Sequence, residues 1–160
     1  MGFVTEDSMS RSPMIAAIAL TLAAGVAAAA VKPNTPTPMP RVKAQMKSIV
    51  DKTSTELFNV AGEADPENGP DQKLPDAPGW AKIKADADKL KAVADWLEDP
   101  KNGKAAEPNW MKSARAMSAL SLAASKAAAA HDAKGLAKAS NDLSDTCTGC
   151  HSVYKKQDGD

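Results

Sequence analysis

Two cysteines and a histidine stand almost side by side near the end of this chain, in the segment DTCTGCHSVYKK over residues 145–156. Cys147 and Cys150 are the only cysteines, and His151 is one of two histidines. On a helix, residues three and four apart are neighbours, so the two thiols and the imidazole would project to one side. Such a group can bind a metal, exchange disulfides or hold a cofactor covalently.

Covalent haem fits this spacing best, because each vinyl group can form a thioether with one cysteine while the next imidazole ligates the iron. A thioredoxin-like pair expects a β-α-β context. A structural zinc site needs four protein ligands. The only other histidine, His131, lies about one helix length from the motif. A disulfide between Cys147 and Cys150 would close almost no loop. We predict one haem c per chain, attached through both cysteines and ligated by His151.

The N-terminal segment predicts export. Residues 14–30 read MIAAIALTLAAGVAAAA and end in small residues that satisfy an A-x-A cleavage pattern. A transmembrane anchor is the competing interpretation, but alanine and glycine make the run weakly hydrophobic, and it is short for a span. We expect a signal peptide over residues 1–30 and a periplasmic mature chain that does not insert into the membrane. Haem attachment then explains why two thiols in an oxidising compartment need not pair.

The remaining sequence predicts helices. Residues 31–40, VKPNTPTPMP, indicate an extended Pro-rich leader. Apolar residues then recur at steps of three and four, and no stretch alternates as a strand would. The predicted helices run over about 42–60, 80–97, 110–131 with Asn109 as N-cap, and from about 136 to near Lys156, with loops over 65–79 and 99–109. We expect an all-α, antiparallel up-down four-helix bundle over residues 41–157, with haem attached near the end of the fourth helix, and a disordered tail over 158–160.

The predicted inward faces follow from the same spacing. The first helix would bury Val42, Met46, Ile49, Thr53, Leu57 and Val60. The second would bury Trp80, Ile83, Leu90, Val93 and Leu97, and the fourth Leu136, Ala139, Leu143, Cys147, Cys150 and Tyr154.

Up-down topology places the start of the first helix beside the end of the fourth. His151 lies roughly 9 Å before the end of the fourth helix at the helical rise, and Met46 lies a similar distance into the first. We predict Met46 as the sixth iron ligand, although methionine is more often a core gap-filler. Met39 and Met111 are weaker candidates. The predicted haem contacts are Val50, Val93, Trp96, Trp110, Met111, Ala114 and Tyr154, with Arg41 and Arg115 for the propionates.

The segment Cys147-Thr-Gly-Cys150-His151-Ser-Val-Tyr154-Lys155 resembles the class II c-type cytochromes, the cytochrome c prime group. The resemblance extends over roughly residues 41–156. In class I cytochromes c the motif lies near the N-terminus instead. The family often has arginine after the aromatic residue that follows the motif. This chain has Lys155 there, which keeps the positive charge but lacks the planar guanidinium group. The resemblance implies a methionine of the first helix as sixth ligand in low-spin electron carriers, and an apolar residue that gates an open site in cytochrome c prime proper.

The sequence thus predicts an exported mono-haem cytochrome that carries one electron between redox partner proteins. The alternative is a five-coordinate haem protein that binds nitric oxide or another small gas, and a haem-free thiol–disulfide protein is a remote third. The sequence contains no nucleophile–base arrangement of the kind that would indicate an enzyme. The 20 basic and 20 acidic residues are interspersed, which gives no indication of a nucleic-acid partner. Many relatives form homodimers, and the sequence leaves that open.

Overall fold

The structure is a computed structural model that describes residues 39–104 and 106–155. Across these ranges every regular element is helical and no strand occurs, which confirms the all-α prediction. The elements are α1 (Met39–Gln45), a π-helical turn (Met46–Val50), α2 (Asp51–Glu63), a 3-10 helix (Pro66–Asp71), α3 (Ala77–Glu98), α4 (Pro108–Ala129) and α5 (Ala133–Tyr154). The predicted signal peptide, the tail and all but the end of the leader lie outside the described residues.

The long helices pack side by side, and α3 and α4 run in opposite directions. Helix α3 contacts α2 and α4, and α5 contacts α4 and α2. The hydroxyl of Ser118 donates to Asp95 at 2.6 Å, and that of Ser125 donates to Asp88 at 2.6 Å. Because the numbers rise along α4 while they fall along α3, these two helices are antiparallel. None of the described helices has the length and apolar character needed to cross a membrane.

The core uses large side chains from three helices and small ones from the fourth. Leu57, Ile83, Leu90, Leu136 and Leu143 are fully buried. Each such side chain contributes about 1.5–3 kcal/mol through its removal from water. Helix α4 instead buries mainly alanine and serine, which have little volume and let its neighbours approach closely. Its high alanine content also favours the helical backbone.

A π turn interrupts the first helical segment. The peptide N–H of Asp51 donates to the carbonyl of Met46, five residues earlier, so the turn holds one extra residue. After the turn, Thr53 and Leu57 are buried as predicted. Val50 and Ala61 are buried, whereas Ile49 and Val60, which we predicted to face inward, are only half-buried.

The start of α1 corrects the predicted end of the leader. Met39 and Pro40 are helical rather than extended, so the folded domain begins two residues earlier than residue 41. Proline is tolerated there because the first turn of a helix needs no partner for its N–H.

Two further helix starts differ from the prediction. Helix α4 begins at Pro108 with Glu107 as its N-cap, so Asn109 was wrongly predicted to cap it. Proline is preferred as the first helical residue because its fixed φ suits the helix. Helix α3 begins at Ala77, inside the predicted loop, because the carboxylate of Asp76 accepts from the Gly79 N–H at 2.8 Å.

A buried carboxylate on α3 binds a lysine that also reaches α2. The Asp86 side chain is 5% exposed and accepts hydrogen bonds at 2.9 Å from Lys82 and from Lys89. Lys82 also pairs with Glu56 on α2. Burial acts to raise the pKa of Asp86, but the bonds and charges of Lys82 and Lys89 outweigh it and lower the pKa overall.

We expect Asp86→Asn to lower the free energy of unfolding by about 1–3 kcal/mol at pH 7, because Lys82 and Lys89 lose the negative charge and one of the two acceptor oxygens of a buried carboxylate. A lowered folded-state pKa gives stability that is present above the ordinary carboxyl pKa and is lost as pH falls through the folded value. The difference between variant and wild type should therefore shrink in acid. Urea denaturation at pH 7 and at low pH measures it.

The matched control is Asp142→Asn, which removes an exposed partner of Lys138. Exposed pairs of this kind contribute less than about 1 kcal/mol. Equal losses for the two variants would contradict a special role for Asp86.

Candidate cofactor-binding site

The Cys-x-x-Cys-His motif occupies the last turns of α5, at the boundary between core and solvent. Cys147 and Cys150 are half-buried free thiols, and Cys150 packs against the hydrophobic core. His151 is exposed. A Cβ added at Gly149 would meet nothing within 4 Å, so the side of α5 that faces away from Cys147 and His151 is open.

The surroundings of the two thiols favour their protonated form. Burial raises the pKa of Cys147, and the neighbouring Cys150 raises it further. Burial also raises the pKa of Cys150, while a hydrogen bond with Ser113 of α4 acts in the opposite direction. Sequence reasoning missed Ser113, for which the only signal is its position one helical turn after Trp110.

Trp110 brings three helix ends together. Its indole N–H donates to the carbonyl of Leu97 at 2.9 Å, which fixes the start of α4 against the end of α3. Its ring meets the ring of Tyr154 edge-on, with the ring centres 5.1 Å apart. This contact holds the start of α4 against the end of α5. The Arg41 guanidinium lies 5.7 Å from the centre of the Trp96 ring, which adds the start of α1. We call this region, with the connection 99–107, the motif end.

The connection between α3 and α4 packs on Tyr154, which is buried. Burial raises the pKa of the Tyr154 hydroxyl, and its hydrogen bond with Glu107 acts in the same direction. The Lys104 ammonium lies 5.2 Å from the centre of the Tyr154 ring and 3.5 Å from Glu107. Neither Lys104 nor Glu107 was predicted, although a glutamate before Pro108 at a helix start is a detectable signal.

The two predicted propionate ligands have protein partners. Arg41 lies over Trp96. The Nε of Arg115 lies 3.6 Å from the Glu98 carboxylate, and the Arg115 side chain is 70% exposed. Both guanidiniums are at the motif end and both residues remain exposed.

The other predicted contact residues also lie on elements that reach the motif end. Val50 and Trp110 are buried, and Met46, Trp96 and Met111 are half-buried against the core. Met46 is the first residue of the π turn, on the same helical segment as Arg41. The weaker candidate Met39, at the start of α1, is half-buried as well.

A cleft of about 580 Å³ lies between the first helical segment and α3. Trp96 and Val93 of the predicted pocket are in its lining, together with Ile49 and the charged residues around Asp86. Neither Met46 nor the three motif residues line it. This cleft is therefore distinct from the surface that carries the motif.

Among the residues that the structure describes, no group of three or more His, Cys, Asp or Glu side chains could hold a metal ion. Comparison with models of protein families, with curated protein sequences and with solved structures finds no match for this chain.

We expect Gly103→Ala to lower the free energy of unfolding by about 2 kcal/mol, because a side chain there meets the very atoms that join α3 to α4. A Cβ at Gly103 would clash with the Leu97 carbonyl and would lie 2.5 Å from the Trp110 indole nitrogen. The variant should also show a changed tryptophan emission maximum.

Gly62→Ala is the matched control, because a Cβ at that helical position meets nothing within 4 Å. We expect it to be neutral or to stabilise by up to about 1 kcal/mol through helix propensity. A Gly103→Ala protein as stable as Gly62→Ala would show that the Trp110–Leu97 hydrogen bond does not hold this end together.

Proposed function

We propose that this chain is an exported mono-haem c-type cytochrome that carries one electron between protein partners. Cys147 and Cys150 would hold the haem covalently, and His151 would ligate its iron. The observation that carries the proposal is the placement of this motif. It lies in the last turns of α5, where Cys150 packs against the core and Tyr154 contacts Trp110 of α4.

The helix contacts support the four-helix bundle that we propose as the architecture. Each long helical segment touches two others, so the first segment, α3, α4 and α5 form a closed ring of neighbours. Short connections join α3 to α4 and α4 to α5, as expected for antiparallel neighbours. Bundles of this kind commonly place cofactors between facing helices.

The donor set suits haem attachment. Each thiol would add its sulfur to one carbon of a vinyl group and its hydrogen to the other, so a thioether forms without any change in oxidation state. Protonated thiols at the edge of the core and an exposed imidazole in the next position supply what this needs. Once bound, haem would supply a one-electron ferric/ferrous couple.

The same thiols argue against a thiol–disulfide function. Reactive redox cysteines have lowered pKa values, because the thiolate is the nucleophile. Here burial raises the pKa of both Cys147 and Cys150.

The π turn supports Met46 as the sixth ligand. Single π turns inside helices occur frequently at functional sites, where they re-aim a side chain. This one begins at Met46 and leaves that side chain half-buried rather than enclosed in the core. A methionine ligand would saturate the iron, raise its potential and favour electron transfer over gas binding.

The first test is the covalent haem. Purified from a host competent in c-type maturation, the mature protein should exceed its polypeptide mass by one haem, and its colour should survive acid–organic extraction. His151→Ala should alter the axial ligation seen in the visible spectrum, whereas His131→Ala should leave that spectrum unchanged. A colourless protein, or haem that extracts freely, would overturn the proposed function.

The second test separates electron transfer from gas binding. The wild-type ferric protein should be low-spin with a sulfur-to-iron charge-transfer band, because a thioether completes the coordination. Met46→Ala should lose that band and bind carbon monoxide more readily in the ferrous state. Met111→Ala, which shortens another half-buried methionine at the motif end, should keep it. A high-spin wild type that Met46→Ala leaves unchanged would give first place to the gas-binding function.

A further inference from the structure

The cleft between the first helical segment and α3 has a charged half and a largely apolar half. Arg41 contacts Trp96, and Glu56 pairs with Lys82, so the two elements run in opposite directions along it. The charged half is lined by Lys52 and Glu56 of α2 and by Lys82, Asp86 and Lys89 of α3. The other half is lined mainly by Ile49, Ala92, Val93 and Trp96. A molecule in this cleft would therefore meet ammonium groups at one end and hydrocarbon at the other.

Asp86 gives the charged half a fixed wall. Its side chain is 5% exposed, whereas those of Asp88 and Asp95, which pair with other lysines of α3, are 47% and 50% exposed. One Asp86 oxygen accepts from Lys82 and the other from Lys89, both at 2.9 Å. Because one enclosed carboxylate binds both ammonium groups, they are held beside the cleft.

Most of the hydrogen-bonding capacity left over in the charged half belongs to donors. An ammonium group has three N–H donors. Lys82 directs one to Glu56 and one to Asp86, and Lys89 directs one to Asp86. Lys52 forms no ion pair with any described residue. Both oxygens of Asp86 are engaged and enclosed, so Glu56 is the one carboxylate of this half that keeps an oxygen open.

The charges of the lining residues show the same excess. Three lysines and two carboxylates line the cleft, which leaves one positive charge over. Asp51, the acidic neighbour of Lys52 in the sequence, does not line it. A cation would meet the ammonium groups and an Asp86 carboxylate that is already satisfied, whereas an anion would find N–H donors that the fold does not use. The cleft therefore suits an anion.

We propose that the cleft binds a small aromatic anion. Its carboxylate or sulfonate group would accept hydrogen bonds from Lys52 and Lys89, and its rings would pack against Val93 and Trp96. At the helical rise, about 10 Å of α3 separates Lys89 from Trp96, which suits a molecule of one or two rings with an acidic group. The cleft volume of about 580 Å³ lies within the range of about 300–1,000 Å³ that is typical of small-molecule sites.

This binding site goes beyond the proposed electron transfer and does not require haem. Neither Met46 nor any residue of the Cys-x-x-Cys-His motif lines the cleft. A ligand there would contact the first helical segment and α3 only. The proposal can therefore be tested on the protein whether or not haem is attached.

The first test is a titration of the purified protein with 2-naphthoate, followed by backbone amide NMR. Signals within residues 45–56 and 82–96 should shift, and those of α5 should not. 2-Naphthamide, which has the same rings without the charge, should bind at least about fivefold more weakly, because hydrogen bonds to ionised groups are stronger than neutral ones. About 0.5 M salt should weaken the binding of 2-naphthoate more than that of 2-naphthamide. Equal affinities, or no shifts at millimolar 2-naphthoate, would overturn the proposal.

The second test compares two double variants with the same change in net charge. Lys52→Gln with Lys89→Gln removes the two ammonium groups that would bind the anion and should weaken 2-naphthoate binding at least about fivefold. Lys84→Gln with Lys91→Gln removes two lysines of α3 that do not line the cleft, and should change the affinity less than about twofold. Lys82 still binds Asp86 in both proteins, and far-UV circular dichroism checks that they fold alike. Equal losses of affinity would contradict the role of the cleft lysines.

Two further measurements distinguish other occupants of the cleft. If the same amide signals shift when the protein is diluted without ligand, a second copy of the chain covers the cleft and the proposal is wrong. Protein made with and without c-type maturation should bind 2-naphthoate alike. Loss of binding on haem attachment would show that haem occupies the cleft, which also overturns the proposal. A colourless protein would refute the proposed function and leave the titration decisive for this site.

Discussion

The contact between the Trp110 indole and the Leu97 carbonyl is the interaction on which the motif end depends. A buried indole N–H needs an acceptor, and here it finds one across the connection between two helices. The same ring supports Tyr154 from its edge, so one side chain sets the positions of α3, α4 and α5. Gly103 makes this approach possible, because any larger residue would occupy the space between the two bonded groups. The motif on α5 inherits its position from this arrangement.

Polar contacts between helices complement a core that is poor in large side chains along α4. Alanine and serine faces fit together in several registers, because they present few distinctive shapes. Ser118 with Asp95 and Ser125 with Asp88 remove that freedom, since each hydroxyl meets one carboxylate across the α3–α4 contact. The pKa values of Asp88 and Asp95 are lowered chiefly by the lysine one turn away on the same helix and next by these serines, so the bonded carboxylates stay ionised. Hydrophobic burial stabilises the fold, and these pairs define how α4 is placed along α3.

Periodicity predicted the parts of the fold that follow from burial alone. The five inward residues predicted for α3 are buried, as are Leu136, Ala139, Leu143 and Tyr154 of α5. The π turn could not be predicted, because one extra residue in a hydrogen-bonded turn leaves no mark on a spacing of three and four. The burial of Asp86 was missed for a related reason. A carboxylate among lysines is typical of a solvent-exposed helix face, and only the packed structure shows that this one is buried. For the candidate site, the motif was visible as three ligand-type residues in sequence. The bond of Ser113 to Cys150 and the contacts of Glu107 and Lys104 with Tyr154 depend on tertiary packing that no local pattern encodes.

The two histidines show how structure separates a structural residue from a candidate ligand. His131 ends α4 in the left-handed region, with a φ of 54°, and its ring stacks on Trp80 at 5.2 Å. Those contacts account for its position through packing at the helix end. His151 is exposed in the last turn of α5 and stands next to a half-buried thiol. The contrast leaves His131 as the natural reference for the effect of losing a histidine in this protein.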